Sequence, residues 1–382
     1  MSAPTLDCTI NLNAHFHTLV SELRKLCKSA LAGWSRLSEG SLEVRHVEGG
    51  ITNVLFKVTP VAYVSDVPLP PVIVRIFGSG SDHFIDRNTE LLTLRQLNCN
   101  SFGPQVVATF TNGRIEEFIG AEKGIKTLTS EDFAAERISG LIARRLRALH
   151  AVKVEGISQD DNLWTILQDY FHRVCRLTFS DASKQEQFDK MQISSLECEL
   201  TQVEAACKAV NSPTVFCHND LTPGNIMYDH QKDAGRQSCL HFIDFEYSCH
   251  NPRGFDIANH FNEFAGFAND WTLYPSEETQ RQFFRQYLAG RASSSAPDGW
   301  FMDYEPSQSE LEAILVEVNL YSLASHLFWC LWAVLQAKFS PIQFDFIAFS
   351  QARLGEYRRR KEDVMKMRER ILKPSHVYGD ID

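Results

Sequence analysis

The sequence predicts an α+β protein with two lobes, an antiparallel sheet with one helix in the first lobe and mainly helices in the second. Length is one reason, because 382 residues exceed what a single hydrophobic core usually supports. A change of pattern is another: short β-rich runs dominate before residue 120, and helical periodicity dominates after it. We therefore expect one lobe over residues 1–119 and another over residues 120–382. The cleft between two lobes is a usual place for small-molecule chemistry.

The elements of the first lobe follow from the spacing of apolar side chains. Between residues 15 and 37 these side chains recur at helical spacing, as at Leu19, Leu23 and Leu26, which predicts an opening amphipathic helix. Runs rich in β-branched and aromatic residues, separated by Gly and Pro, predict strands. The predicted strands are 42–44, 54–58, 72–77, 106–110 and 114–119. A second helix is predicted between the third and fourth strands, over residues 86–97.

The second lobe is predicted to be helical around one β-rich island at residues 215–244. Its predicted helices are 139–150, 163–177, 188–210, 310–338 and 344–367. Residues 292–297, Ala-Ser-Ser-Ser-Ala-Pro, predict a surface loop, and the residues after Pro374 a loose tail.

Composition excludes several classes of partner. A net charge of -10 argues against nucleic acid or an anionic membrane surface, because both are polyanions. The ten cysteines show no C-x-x-C pair, which is typical of reduced thiols in the cytosol. The most apolar run, residues 323–337, is too short and too polar to span a bilayer. We therefore expect a cytoplasmic enzyme without membrane insertion; the sequence allows a homodimer.

The strongest local signal is an H-x-D-x-x-x-x-N pattern from His218 to Asn225, followed by Asp244 between Ile243 and Phe245. Phosphoryl transfer needs an acceptor for the proton of the attacking group and oxygen ligands for Mg²⁺. Asp220 is the candidate base, and Asn225 and Asp244 are the candidate metal ligands. Either segment alone fits an ordinary turn. The two together, in this order, favour phosphoryl transfer.

A kinase also needs a cation for the α- and β-phosphates, held by a carboxylate from a helix. Arg75 in the third strand and Glu90 in the following helix are the candidates for this ion pair, although both also fit solvated surface positions. A loop between the first two strands offers backbone N–H groups and small side chains for the phosphates. Its candidate residues are Gly49, Gly50, Thr52 and Asn53. Hairpin turns use Gly-Gly equally freely.

These motifs resemble those of the choline/ethanolamine kinase family, a branch of the protein-kinase-like fold related to aminoglycoside phosphotransferases. The resemblance covers most of the chain between about residues 45 and 360, in the stretches 49–53, 74–78, 113–119, 216–225, 243–248, 253–266 and 317–338. An arginine in place of the usual kinase lysine, as at Arg75, is a trait of this family. The resemblance implies ATP and Mg²⁺ as cofactors. It also implies that Glu117 and Ile119 lie in a hinge whose backbone pairs with adenine.

The resemblance further implies a pocket for a small amino alcohol, which is a cation at neutral pH. Glu246 and Glu263 are implied as its anionic groups and Trp329 and Trp332 as its walls. Such a pocket suits the substrate, because carboxylates and aromatic faces both attract cations. Two Trp at i, i+3 spacing on an apolar helix also fit core packing. Asp256 and His218 are implied to brace the catalytic loop.

Ethanolamine is the predicted substrate, with phosphoethanolamine and ADP as products at the start of a route to phosphatidylethanolamine. Residues 255–266 resemble ethanolamine kinases, since Asn262-Glu263-Phe264 stands where choline kinases tend to have Cys-Glu-Trp. Phe346 and Phe349 stand where choline kinases often carry Tyr. Residues 243–248 and 253–255 instead lean towards choline kinases. The alternatives are a choline or dual-specificity kinase, an antibiotic phosphotransferase, and a catalytically inactive nucleotide-binding scaffold.

Overall fold

The computed structural model describes residues 3–47, 52–61, 69–78, 85–120, 124–231, 239–292, 300–302, 304–340 and 342–372. Contacts group the chain into two compact units. The first unit comprises Met1–Lys126, Met227–Asp233 and His241–Glu246, and the second comprises Thr127–Ile226, Ala234–Leu240 and Tyr247–Asp382.

Strands are concentrated in the first third of the chain and helices in the rest, as an α+β fold requires. The strands are β1 (Thr5–Leu6), β2 (Leu42–Val47), β3 (Asn53–Pro60), β4 (Val72–Phe77), β5 (Val106–Phe110), β6 (Gly113–Glu117), β7 (Ile125–Thr127), β8 (Thr214–Cys217), β9 (Ile226–Asp229), β10 (Leu240–Phe242), β11 (Cys249–Pro252), β12 (Gly290–Ala292) and β13 (Trp300–Met302). The helices are α1 (Phe16–Ala30), α2 (Arg87–Cys99), α3 (Ser130–Phe133), α4 (Glu136–His150), α5 (Leu163–Val174), α6 (Ala182–Met191), α7 (Glu197–Lys208), α8 (Arg253–Asn262), α9 (Glu277–Ala289), α10 (Gln308–Phe339) and α11 (Phe346–Leu372).

The first unit is built on a six-stranded sheet in the order β1-β5-β6-β4-β3-β2. Neighbouring strands are antiparallel, except that β1 runs parallel to β5. The apolar stripe of α1 is buried with the sheet in one core, which includes Leu23, Phe56 and Val74. All five strands and both helices predicted for this region are present. The first helix is shorter than predicted because Leu31, directly after Ala30, adopts an extended conformation with φ of -108° and ψ of 127°.

The second unit is organised around α10, a helix of 32 residues that packs against α11, α8 and α5. Its start is fixed by a capping box, in which Ser307 Oγ accepts from Glu310 N and Glu310 Oε2 accepts from Ser307 N. By length and composition α10 is the one described helix that matches a membrane span, but its apolar stretch is wholly buried inside the protein. Such burial is typical of the central helix of a folded core.

One predicted helix of the second lobe is wrong: residues 188–210 form two helices instead of one. Helix α6 ends at Met191, Gln192 adopts a left-handed φ of 53°, and α7 begins at Glu197 after one 3₁₀ turn. The hydroxyl of Ser195 donates to the Gln192 carbonyl at 2.7 Å, so a side chain competes for the helical backbone bond. Most of the predicted 292–297 loop, and the tail after Pro374, lie outside the described residues.

Candidate active site

The residues predicted to carry chemistry fall into two sets, one in each unit. The second unit holds Asp220, Asn225, Glu263, Trp329 and Trp332, and the first holds Thr52, Asn53, Arg75, Glu90, Glu117, Ile119, Asp244 and Glu246. Gly49 and Gly50, predicted for the phosphates, lie outside the described residues.

The loop predicted to be catalytic follows strand β8 in the second unit and carries Asp220 and Asn225. The chain leaves β8 through Asn219, which adopts a left-handed φ of 65°, a conformation that a short polar side chain tolerates. Asn225 lies in a 3₁₀ turn that Pro223 begins. Its Nδ2 donates to Oδ2 of Asp220 at 3.0 Å and to the Asp220 carbonyl at 2.8 Å. These bonds fix the Asp220 carboxylate and leave Oδ1 of Asn225 without a donor among the described residues.

Asp256, at the start of α8, braces this loop as predicted. Its wholly buried carboxylate accepts from the backbone N–H groups of His218 at 2.8 Å and Asn219 at 2.7 Å, and from Nε2 of His150 at 2.9 Å. Burial alone raises the pKa of Asp256, but the bond from His150 and the backbone bonds outweigh it and lower that pKa. Burial lowers the pKa of His150, so a neutral ring donates a hydrogen bond through Nε2 and accepts one at Nδ1 from the Tyr287 hydroxyl, 2.6 Å away.

Glu263, predicted to attract the substrate cation, is paired with a buried arginine. Nη1 of Arg353, on α11, lies 3.0 Å from Oε1 of Glu263, and Nη2 donates to the Ser325 hydroxyl. Burial raises the pKa of Glu263 and Arg353 offsets only part of this effect. Oε2 of Glu263 has no donor within the described ranges, and the side chain is 11% exposed. One carboxylate oxygen therefore stays available to a ligand.

Trp329 and Trp332 lie side by side on α10 and both are buried, with ring centroids 5.0 Å apart. Nε1 of Trp329 donates to Oδ1 of Asn259, and Nε1 of Trp332 donates to the Tyr247 hydroxyl at 3.0 Å. The Phe346 ring packs against Trp332 at 5.9 Å. Because Trp N–H groups seek a partner when buried, this arrangement fits both core packing and the wall of a pocket.

In the first unit, Arg75 lies on β4 and is held by two carboxylates. Its Nη1 lies 3.1 Å from Oδ1 of Asp244, and its Nε lies 3.3 Å from Oε1 of Glu116. Burial works against the charged form of Arg75, but Asp244 and Glu116 outweigh burial and the pKa of the guanidinium is raised. The structure therefore provides a permanent cation beside Asp244.

The predicted ion pair between Arg75 and Glu90 is corrected by the structure. The two carboxylate oxygens of Glu90 instead contact Nη1 of Arg114 at 2.7 Å and Nη1 of Arg87 at 2.8 Å. The register of the sheet explains the difference, because it places Arg75 directly opposite Arg114 on β6. Glu116, two residues further along β6, then binds both arginines from one face of the strand.

Glu246, predicted to bind the amino alcohol, contacts residues predicted for the phosphates. Its Oε1 accepts from the Thr52 hydroxyl at 2.5 Å, and its Oε2 accepts from Nδ2 of Asn53 at 2.9 Å and from Nη1 of Arg87 at 3.3 Å. Burial, with the neighbouring charges of Asp244 and Glu90, raises the pKa of Glu246 to about 7.

The predicted hinge begins where β6 ends at Glu117. The backbone N–H of Glu117 donates to the Gln105 carbonyl at 2.9 Å and is therefore already used. Ile119 lies in the following turn and makes no backbone–backbone hydrogen bond in the described part of the chain. Its peptide groups are chemically suited to pair with a planar ligand such as adenine.

The two residues predicted for Mg²⁺ offer the ligand type that this ion prefers, carboxylate and amide oxygens. Asp244 uses Oδ1 for Arg75, and Oδ2 has no donor among the described residues. Its side chain is 25% exposed, whereas its neighbours Glu116 and Glu246 are 3% and 4% exposed. The oxygen ligands that Asn225 and Asp244 offer are therefore of the type that Mg²⁺ prefers.

Comparisons with known proteins agree with this chemistry. A family model described as choline/ethanolamine kinase matches residues 44–358. A probable ethanolamine kinase from Arabidopsis thaliana is 35% identical over 90% of this chain and 86% of its own length. Probable choline kinase 3 from the same plant is 31% identical over 90% of this chain and 94% of its own. The solved structure of a Plasmodium vivax ethanolamine kinase, 30% identical, matches with a TM-score of 0.73 over 91% of both chains.

Fold, loop geometry and similarity together define an enzyme of protein-kinase-like fold that transfers a phosphoryl group to an alcohol. More narrowly, the chain belongs to the choline/ethanolamine kinase family. The predicted fold class and family are thereby confirmed.

Several residues that shape the site were not found from the sequence. They are Arg87, Arg114, Glu116, His150 and Arg353. The sequence did carry a signal for the first three. Arg114 and Glu116 alternate with apolar residues in one strand, and Arg87 begins a helix. Charged side chains that are buried at such positions need partners of opposite charge. The sequence carried no local signal for the other two, whose partners lie 106 and 90 residues away.

Proposed function

We propose that this chain uses ATP and Mg²⁺ to phosphorylate the hydroxyl of ethanolamine, giving phosphoethanolamine and ADP. The reaction would be the first step of the CDP-ethanolamine route to phosphatidylethanolamine. The observation that carries phosphoryl transfer is the fixed Asp220 carboxylate, held by Asn225 in a braced loop. Similarity to proteins named ethanolamine kinase supports the substrate.

In this proposal Asp220 orients the substrate hydroxyl and accepts its proton. Asn225 and Asp244 hold Mg²⁺, which when bound neutralises charge on the phosphates. Arg75 binds the α- and β-phosphates, and its pairing with Asp244 and Glu116 fixes the direction of its remaining donors. We assign residues 1–119 to nucleotide binding and residues 120–382 to catalysis and acceptor binding.

Other residues of the first unit serve the nucleotide in this proposal. Gly49, Gly50, Thr52 and Asn53 cover the phosphates, and Glu117 and Ile119 pair with adenine through their backbone. Glu90 acts indirectly, since it binds Arg114, which shares Glu116 with Arg75. The Thr52 and Asn53 contacts of Glu246 support a place for this carboxylate beside the nucleotide more than beside the amino alcohol.

The acceptor is recognised through Glu263, Trp329 and Trp332. A primary ammonium group has three N–H donors and seeks oxygen acceptors, which Oε2 of Glu263 supplies. A quaternary ammonium group has none and relies on aromatic faces. We further propose that the enzyme acts in the cytoplasm on a small molecule, without nucleic acid or membrane insertion; a homodimer is compatible with this proposal.

Choline is the second candidate substrate, because a relative named probable choline kinase 3 matches the chain over almost the same length. A series of acceptors separates the candidates: ethanolamine, its mono- and dimethylated forms, choline and an aminoglycoside. ADP release is measured with each, with an acceptor-free reaction as the blank and the Asp220→Asn variant as the control for a contaminating kinase. We expect kcat/KM to be highest for ethanolamine and to fall with each methyl group. A steep preference for choline or for the aminoglycoside would overturn the substrate.

The Glu263→Gln variant sharpens this series. It removes the charge that a primary ammonium group pairs with and leaves the indole rings in place. We expect its kcat/KM to fall more for ethanolamine than for choline. An equal fall for both acceptors would show that Glu263 does not contact the ammonium group.

A further inference from the structure

Four side chains of the first unit form one hydrogen-bonded group, which we call the loop clamp: Thr52, Asn53, Arg87 and Glu246. Both oxygens of Glu246 accept bonds from Thr52 and Asn53, at 2.5 and 2.9 Å. Arg87 closes the group, since Nη1 contacts Glu246 at 3.3 Å and Nη2 donates to Oδ1 of Asn53 at 3.1 Å. The guanidinium of Arg87 and the carboxylate of Glu246 therefore lie together within one small cluster.

The clamp joins two segments that both serve the nucleotide. Asn53 begins β3 and Thr52 precedes it, two residues after Gly50 in the stretch predicted to cover the phosphates. Glu246 comes two residues after Asp244, the predicted ligand of Mg²⁺. A carboxylate that is 4% exposed is stable only where its hydrogen bonds are satisfied, so Glu246 holds both segments in one arrangement.

Arg87 is the member of the clamp that contacts both Glu246 and Asn53. Its guanidinium lies 2.8 Å from Glu90 on the same helix and 4.4 Å from the centre of the Phe77 ring. A planar guanidinium reaches Glu246, Glu90 and Asn53 at once, whereas the single ammonium of lysine cannot reproduce that fork. The side chain is 12% exposed, so water replaces little of what its removal takes away.

We propose that Arg87, acting through Glu246, is a positioning residue for the nucleotide: it fixes the side chains of Thr52 and Asn53 in the arrangement that binds the phosphates of MgATP. The inference rests on the proposed function in taking MgATP as the ligand and Thr52 and Asn53 as contacts of its phosphates. It makes no use of the identity of the acceptor.

Binding of MgATP without any acceptor, followed by isothermal titration calorimetry, tests the proposal. We expect Arg87→Ala to raise the dissociation constant roughly tenfold, the effect of losing one charged hydrogen bond. Arg87→Lys should recover only part of the affinity. Arg95→Ala is the matched control, because Arg95 lies exposed on the same helix, and it should bind as the unchanged protein does.

A merely structural role would give a different result. The melting temperature and the active fraction would fall, but the active molecules would bind MgATP with unchanged affinity and would show an unchanged KM for ATP. In a positioning role the KM for ATP rises while the KM for the acceptor changes less than about twofold. Unchanged MgATP affinity in Arg87→Ala overturns the proposal, whichever acceptor the enzyme prefers.

A second pair of variants tests the other end of the clamp and removes no charged group. Thr52→Ser keeps the hydroxyl that donates to Glu246, and Thr52→Val removes it at similar volume. We expect Thr52→Val to weaken MgATP binding more than Thr52→Ser does. In the double variant with Arg87→Ala the losses should be less than additive, because both act through Glu246. Full additivity would contradict a single clamp.

Discussion

Replacement of Asp256 by Asn is the most direct test of how the catalytic loop is held. The substitution keeps the size of the side chain and removes its charge and one of its acceptor oxygens. In the structure Oδ2 of Asp256 accepts two bonds, from His150 and from the backbone of His218, and Oδ1 accepts a third from the backbone of Asn219. An asparagine serves one of these positions with its oxygen and presents an N–H donor to the other.

The expected loss of stability follows from these contacts. If the amide oxygen takes the place of Oδ2, the buried N–H of Asn219 loses its acceptor, which costs about 1–3 kcal/mol. The two remaining bonds lose their charge assistance, at about 1 kcal/mol each. We therefore expect the free energy of unfolding to fall by about 3–5 kcal/mol. Because the left-handed conformation of Asn219 is then unsupported, kcat should fall as well.

Urea unfolding, followed by far-UV circular dichroism and tryptophan fluorescence, measures the first effect, and ADP release measures the second. Asp160→Asn is the control, because it makes the same chemical change at an exposed site of the same unit, where we expect a change within about 0.5 kcal/mol. A loss below about 1 kcal/mol in Asp256→Asn would refute the bracing role of this carboxylate.

Three further predictions concern the base, the buried ion pairs and the pH dependence. Asp220→Asn should lower kcat by about 10²–10⁴-fold with an unchanged melting temperature, and unchanged turnover would exclude Asp220 as the base. Glu116→Gln leaves two buried guanidinium groups without one carboxylate, so the free energy of unfolding should fall by about 3 kcal/mol, and no change in urea midpoint would contradict this. Burial lowers the pKa of His150 and His326, and that of His260 to about 4. Below about pH 6.5 the unfolded chain therefore binds more protons than the folded chain at these three histidines, whereas the raised pKa of Glu246 makes the folded chain bind about one proton more at that carboxyl. The histidines outnumber the carboxyl, so stability should fall by about 1–2 kcal/mol from pH 7 to pH 5.5, and a rise over this range would mean that the histidines are not buried as described.

Local patterns in the sequence were enough for the parts of the fold that local patterns control. The strand at Val72–Phe77 and the helix at Arg87–Cys99 were predicted because apolar spacing reflects burial on one face. Likewise, Asn225 is five residues after Asp220, and a single turn of the chain brings the two side chains into hydrogen-bond contact. The break at Gln192 escaped prediction, because the surrounding sequence keeps a helical apolar spacing and the left-handed residue is not a glycine.

Partners that are distant along the chain were not predictable in the same way. Arg75 pairs with Glu116 instead of Glu90 because of the register between β4 and β6, which no local pattern encodes. The contacts of Glu246 with Thr52 span 194 residues, and a prediction based on family resemblance alone placed this carboxylate with the amino alcohol. Sequence spacing can identify candidate catalytic groups, whereas the pairing of strands in the folded protein determines which charged groups form ion pairs.

The first unit is discontinuous along the chain, and this has a consequence for its synthesis. Its last stretch, His241–Glu246, supplies Asp244 to Arg75 and Glu246 to Arg87, yet about a hundred residues of the second unit, Thr127–Ile226, are made before it. On the ribosome Arg75 therefore has Glu116 but not yet Asp244, and Arg87 has Glu90 but not yet Glu246. A nascent chain arrested before residue 241 should resist proteases poorly in this region, and one arrested well beyond residue 246 should resist them. The first unit is thus completed late, although nearly all of it is encoded first.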